Sequence, residues 1–184
     1  MSEADFDLVM RLNVKSVFLG TQAVVPRMLA HGGGSIINIA SVGASRPRPG
    51  LVWYNASKAA VANVRSPFPF PFPSASPSSP PPLPSNAPHL PPPPTQATKG
   101  LAAEYAPHNI RVNSINPLLS GTGLFETFAG VPDTPENRNK FLANVPMGRL
   151  TEPSDVAAAC LFYASGDSAF VTGTALEVDG GRAI

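Results

Sequence analysis

Residues 34–63 read GSIINIASVGASRPRPGLVWYNASKAAVAN, and this stretch decides the fold. Ser35 to Ser41 is short, branched and largely apolar, which suits a strand covered on both faces in a parallel sheet. Tyr54 to Asn63 is alanine-rich and predicts a helix. A loop carrying Arg46-Pro47-Arg48-Pro49-Gly50 separates them. Whether this strand–loop–helix order belongs to a layered sheet depends on the elements on either side.

Upstream, Ser2 to Ala30 places Phe6, Val9, Met10, Val14, Val17, Phe18, Ala23 and Val24 at three-to-four spacing, the period of a long amphipathic helix. Ser2 suits its cap, and the acids at Glu3, Asp5 and Asp7 suit its positive N-terminus. His31-Gly32-Gly33-Gly34 then reads as the helix C-cap rather than a phosphate cradle, because it follows a helix instead of opening one. Downstream, Ala97 to Ala106 resumes the helical character, and Ile110 to Asn116 alternates as a second strand ending at Pro117. Helices are expected over 133–143 and 154–165, with Pro153-Ser154-Asp155 opening the latter. Ala175 to Asp179 forms a last short strand closed by Gly180-Gly181. Strands alternating with helices predict an α/β layered sheet.

Composition agrees with a packed domain. The chain has 184 residues, 43% of them hydrophobic, and 13 basic against 12 acidic residues give a formal charge of +1. No basic patch suited to nucleic acid or an anionic membrane is visible, so a small-molecule partner is expected. The start lacks a signal-peptide pattern, and no window reaches the ~18 continuous apolar residues of a membrane span. A lone Cys160, read as a buried structural thiol, implies a reducing compartment, here the cytoplasm. His31, His89 and His108 lack metal-ligand spacing and are read as surface residues; no metal site is expected.

The 23 prolines are far above ordinary usage, and 14 of them fall in residues 64–96. That density excludes helix and strand and predicts a disordered insertion. Pro81-Pro82-Leu83-Pro84 has the look of a polyproline ligand, which gives one alternative reading, a proline-mediated interaction module. The flanks suggest another origin: joining Asn63 to Ala97 gives YNASKAAVANATKGLAAEY, one uninterrupted helix. Pyrimidine-rich codons, a valine codon beginning GT at the start and a glutamine codon able to end AG at the close are the borders of an intron. The segment is therefore expected to be an in-frame intron retained between the two parts of one domain, 1–63 and 97–184.

Tyr54 and Lys58 stand four apart on a helix, which puts phenol and ammonium on one face. A phenol titrating near ~10 is a poor acid–base group at neutral pH, and a neighbouring cation lowers that value. Ser41 closes the buried-type strand 13 residues earlier.

With Asn13 in Leu12-Asn13-Val14-Lys15-Ser16, this arrangement resembles the short-chain dehydrogenase/reductase family. The likeness continues through Asn116-Pro117 with Thr122, Pro146-Met147-Gly148-Arg149-Leu150, Glu152-Pro153, Asp155-Val156-Ala157, Thr172-Gly173 and Val178-Asp179-Gly180-Gly181. It implies the C-terminal part of a Rossmann-like, doubly wound parallel sheet with flanking helices. It implies an enzyme that interconverts an alcohol and a ketone or aldehyde using NAD or NADP. Tyr54 would be the general acid/base, Ser41 would bond the substrate oxygen, Lys58 would hold the nicotinamide ribose and tune Tyr54, and Asn13 would support a proton-carrying water. Pro117, Ser120 and Thr122 would line the nicotinamide end of the cofactor, and Leu118 stands where the family commonly has glycine. The family's TGxxxGxG diphosphate loop is missing, so a truncated form with impaired activity is expected, its intact product starting further upstream. The strand at 35–41 would then be an unpaired, aggregation-prone edge. The resemblance also implies a homo-oligomer, dimer or tetramer, and leaves open that the chain acts only as an inactive dimerisation partner. Asn55-Ala56-Ser57 matches a glycosylation sequon but lies in a helix beside Tyr54 and is not expected to carry a glycan. Trp53 either faces substrate or packs.

Overall fold

The computed structural model describes residues 1–63, 97–121 and 123–184; the predicted insertion at 64–96 and Thr122 lie outside the described residues. The first helix, α1 (Glu3–Met10), opens on a reciprocal capping box. Ser2 Oγ accepts the Asp5 N–H at 3.2 Å, and the Asp5 carboxylate accepts the Ser2 N–H at 2.9 Å. A π-helical turn, Arg11–Lys15, joins α1 to α2 (Ser16–Ala30) without a break. Sequence periodicity predicted one regular helix here, and the π turn, centred on Asn13, is invisible to it because the extra residue shifts the face without adding a breaker. The glycines that follow close α2: Gly33 has φ +139°, and a Cβ there would sit 2.4 Å from the Asn109 carbonyl oxygen. They permit close chain approach rather than cradling a phosphate.

Three strands form a parallel sheet in the order β1 (Gly34–Ile39), β2 (Ile110–Pro117), β3 (Ala175–Val178). Register pairs Ser35 with Arg111 and Ile36 with Val112. Successive strand residues face opposite sides, so these two pairs identify what covers each face. Ile36 and Val112 pack with Val25 of α2 and with Leu101 and Tyr105 of α4 (Ala97–Tyr105). On the other face, Ser35 Oγ donates to the Tyr163 carbonyl of α7 (Pro153–Ala164) at 2.7 Å, and the Arg111 guanidinium binds Ser165 and Ser168. Helices therefore flank the sheet on both sides, as predicted for a doubly wound architecture. Among the described residues β1 has a neighbour on one side only, and Ile39 is exposed.

α3 (Val52–Asn63) and α4 behave as two halves of one helix. Thr98 Oγ1 donates to the Val61 carbonyl at 3.2 Å, across 37 residues of sequence. Without the 33 residues at 64–96, this is the i to i−4 back-bond of a threonine in a continuous helix. Val61, Ala62, Ala97, Thr98 and Leu101 are all buried at or near that join.

At the other end of the sheet, Leu118 packs with Phe125, Phe141 and Val145. Phe125 belongs to α5 (Phe125–Ala129), a helix too short for periodicity to reveal, and Phe141 to α6 (Pro135–Leu142), where a helix was predicted. Cys160 is half-buried rather than buried, since only one face of α7 meets the sheet and Leu161 beside it is exposed.

By length and composition, the helix Glu3–Ala30 could cross a bilayer, a property that a search for continuous apolar runs does not register. Its charged residues, among them Asp5, Asp7, Arg11, Lys15 and Arg27, are distributed along it. One side lies on α3, where Phe6 meets Trp53 edge-on at 5.0 Å. Trp53 thus packs and does not line the cavity described next.

Candidate active site

A cavity of about 270 Å³ opens at the carboxyl ends of the strands, where loops in parallel α/β sheets collect ligands. Ser41 reaches it because the chain leaves β1 in extended conformation (φ −170°) and then tightens into the 3-10 turn Val42–Ala44. Ser41 Oγ accepts the Gly43 N–H at 3.1 Å, which leaves its own proton to donate. The loop after the turn is tied to α3 by Asn55, whose amide donates to the Arg48 carbonyl at 3.0 Å, and the turn itself lies so close that a Cβ on Gly43 would strike Asn55 Oδ1 at 2.6 Å. Asn55 is buried, which does not suit a glycan.

Tyr54, in the first turn of α3, turns its hydroxyl to Ser41, and its ring meets Phe128 edge-on at 5.0 Å. Lys58, one turn on, lines the same cavity but directs Nζ to the Ile39 carbonyl at 3.0 Å. The expected lowering of the phenol pKa is not what the surroundings produce. Burial pushes Tyr54 above the ordinary phenol value, and the Ser41 hydrogen bond only partly opposes this. The same burial lowers Lys58.

Pro117, Leu118 and Ser120 supply the wall opposite α3, because β2 ends at Pro117 and the Leu118 N–H is held by the Val178 carbonyl at 3.1 Å. Leu118 spends its side chain on the Phe125–Phe141 cluster. Asn13 is not in this cavity. It lines a second, adjoining one with Thr21 and Asn38, and Ile39 and Lys58 border both. Asn13 Nδ2 donates to Ser57 Oγ at 2.9 Å, and Ser57, fully buried, donates to the Tyr54 carbonyl at 2.7 Å. The π turn is thereby tied to the backbone of Tyr54 itself.

Two relatives of known structure and one curated sequence define what this geometry matches. A family profile described as short chain dehydrogenase matches residues 1–66, and one described as enoyl-(acyl carrier protein) reductase matches 95–183. The chain belongs to the short-chain dehydrogenase/reductase family, whose members are NAD(P)-dependent dehydrogenases and reductases. It is 39% identical to 4-formylbenzenesulfonate dehydrogenase TsaC1/TsaC2 of Comamonas testosteroni, over all of this chain and 60% of that protein. A 3-ketoacyl-(acyl-carrier-protein) reductase of Brucella melitensis, solved with NADH, superposes with TM-score 0.75 at 36% identity, covering 100% of this chain and 60% of the other. A gluconate 5-dehydrogenase of Burkholderia cenocepacia, solved with NADP and tartrate, gives TM-score 0.76 at 29% identity, over 99% and 57%. The chain thus spans about three-fifths of the length of the relatives it matches.

Sequence reasoning missed three groups around this cavity: Arg48, Phe128 and Arg182. The basic pair in Arg46-Pro47-Arg48 was the available signal, but nothing in the sequence relates it to Arg182 at the far end of the chain.

Proposed function

We propose that this chain carries the proton-transfer residues of an NAD(P)-dependent oxidoreductase that interconverts an alcohol and a ketone or aldehyde. The observation that carries the reading is one cavity lined together by a strand-end serine, a tyrosine and a lysine one helical turn further on. In the reducing direction Tyr54 donates its proton to the carbonyl oxygen, and Ser41 donates a second hydrogen bond to the same oxygen. The lining fits the nicotinamide–ribose end of a dinucleotide, with Tyr54 and Lys58 on one side and Pro117 and Ser120 on the other; the same role for Thr122, outside the described residues, rests on the family resemblance alone. When bound, that group supplies the hydride that completes the reduction. Lys58 would hold the ribose and tune Tyr54, and Asn13, across the shared wall, would support the water through which Tyr54 regains its proton.

No glycine-rich turn opens a helix among the described residues, so binding by this segment rests on the nicotinamide end, and we expect turnover below that of longer relatives. The proposed setting is the cytoplasm, with its reducing conditions suiting the half-buried, unpaired Cys160. Titrating the chain with NADH and with NADPH while following nicotinamide fluorescence tests the reading. A change saturating in the millimolar range with at least one cofactor is expected, weakened by Lys58→Ala. No change with either would overturn it.

The exposed apolar side of Glu3–Ala30 favours a second, compatible reading, in which the chain pairs with a copy of itself or with a longer relative.

A further inference from the structure

Arg46, Arg48 and Arg182 line the Tyr54 cavity together with Lys58, and among the described residues no aspartate or glutamate lines it. Four basic groups and no acid in one small cavity is a strong local excess in a chain whose formal charge is only +1. None of the three arginines has a carboxylate within 4.0 Å among the described residues; the ion pairs there are Arg138–Asp133, Lys140–Glu136 and Arg149–Asp155. The nearest acid in sequence, Asp179, spends both oxygens on backbone N–H groups, of Gly181 at 2.9 Å and Ala183 at 2.7 Å.

The guanidiniums are held rather than loose. Arg48 and Arg182 both lie over the Phe141 ring, at 5.2 and 5.3 Å from its centroid. Arg48 donates to the Phe128 carbonyl at 3.3 Å, Arg182 to the Asn144 carbonyl at 3.2 Å, and Arg46 to the Arg182 carbonyl. Those bonds fix positions but neutralise nothing, and partial burial of like charges is costly unless an anion joins them. Arg182 registers this: burial first, then the charges of Arg46 and Arg48, lower its pKa, and Asp179, the smallest of the influences, only partly opposes them. Phe128, whose carbonyl anchors Arg48, is also the ring packed on Tyr54, so the basic cluster and the proton donor share one wall. Leu51, Leu124, Phe128 and Phe141 give the remaining lining an apolar character.

We propose that the substrate is an anionic carbonyl or alcohol: an apolar, ring-sized body bearing a carboxylate or sulfonate that Arg48 and Arg182 grip while the reacting oxygen meets Ser41 and Tyr54. This rests on the alcohol/carbonyl reading of the same cavity. A planar fork matches a carboxylate or sulfonate with paired hydrogen bonds, and a cavity of one sign concentrates such ligands.

Calorimetric titration of the full chain with benzenesulfonate and with its uncharged counterpart benzenesulfonamide tests the proposal without cofactor or variant. At least tenfold tighter binding of the anion is expected, weakening with added salt. Arg48→Gln and Arg182→Gln should each lose about tenfold for the anion and leave the amide unchanged. Equal affinity for the two probes, binding of neither, or anion binding untouched by both variants would overturn the proposal. Turnover of 4-formylbenzoate against 4-formylbenzamide with NADH or NADPH separates the two readings. Equal turnover of both aldehydes sinks the anion site and keeps the dehydrogenase, whereas anion-selective binding with no turnover of either sinks the dehydrogenase and keeps the anion site.

Discussion

Tyr54 sits between two opposed influences, and their balance sets the direction of chemistry it favours. Half-burial destabilises the phenolate, the Ser41 hydrogen bond stabilises it, and burial is the larger of the two. A raised pKa keeps the phenol protonated at neutral pH, the form that donates to a carbonyl oxygen. Carbonyl reduction by this site should therefore be level through neutral pH and fall only as pH rises beyond ~10, while alcohol oxidation should climb with pH over the same range. Pre-steady-state rates measured from pH 6 to pH 11 check this, and a reduction rate already falling between pH 7 and 8 would contradict it. The residue types at this site were readable in the sequence because a four-residue helical spacing is local. The sign of the phenol shift was not, because it depends on how deeply the cavity walls bury Tyr54 and on Lys58 bonding the Ile39 carbonyl instead of facing the phenol.

The helix that carries Tyr54 and Lys58 continues, across 64–96, into the one that covers β2. The Thr98–Val61 back-bond and the buried residues around it mean that α3 and α4 keep the packing of a single element. Closing a loop of 33 residues costs roughly 3 kcal/mol. Deleting 64–96 should therefore leave the fold intact and stabilise it by up to about 3 kcal/mol, read as a higher denaturation midpoint with an unchanged circular dichroism spectrum. Loss of cooperative unfolding in the deletion would show instead that the two helices do not form one element. Most elements were legible because long amphipathic stretches and short branched runs have distinct periods. The π turn at Arg11–Lys15 and the five residues of α5 escaped because neither is long enough to establish a period of its own.

Across the whole molecule, the apolar surface is unevenly placed. Leu12 (62% exposed) and Leu19 (50%) lie on the helix Glu3–Ala30, and Phe170 just beyond α7 is fully exposed. A folded monomer seldom leaves such side chains uncovered in groups, and a symmetric partner is the commonest cover. Sedimentation at tens of micromolar should give a dimer or larger species, with Leu12→Asp plus Leu19→Asp shifting it toward monomer. A monomeric wild-type chain would remove the oligomer reading. The three strand ends, by contrast, are fully employed: Ser41 follows β1, Pro117 closes β2 with Ser120 after it, and Arg182 follows β3, so residues far apart in sequence meet in one cavity. Removing the phenol oxygen alone is the most direct probe of that cavity's chemistry. With NADH or NADPH and 4-formylbenzoate, Tyr54→Phe should lower kcat by about 10²–10⁴-fold and leave KM nearly unchanged. Undiminished turnover in Tyr54→Phe would contradict the assignment of this site to proton-coupled hydride transfer.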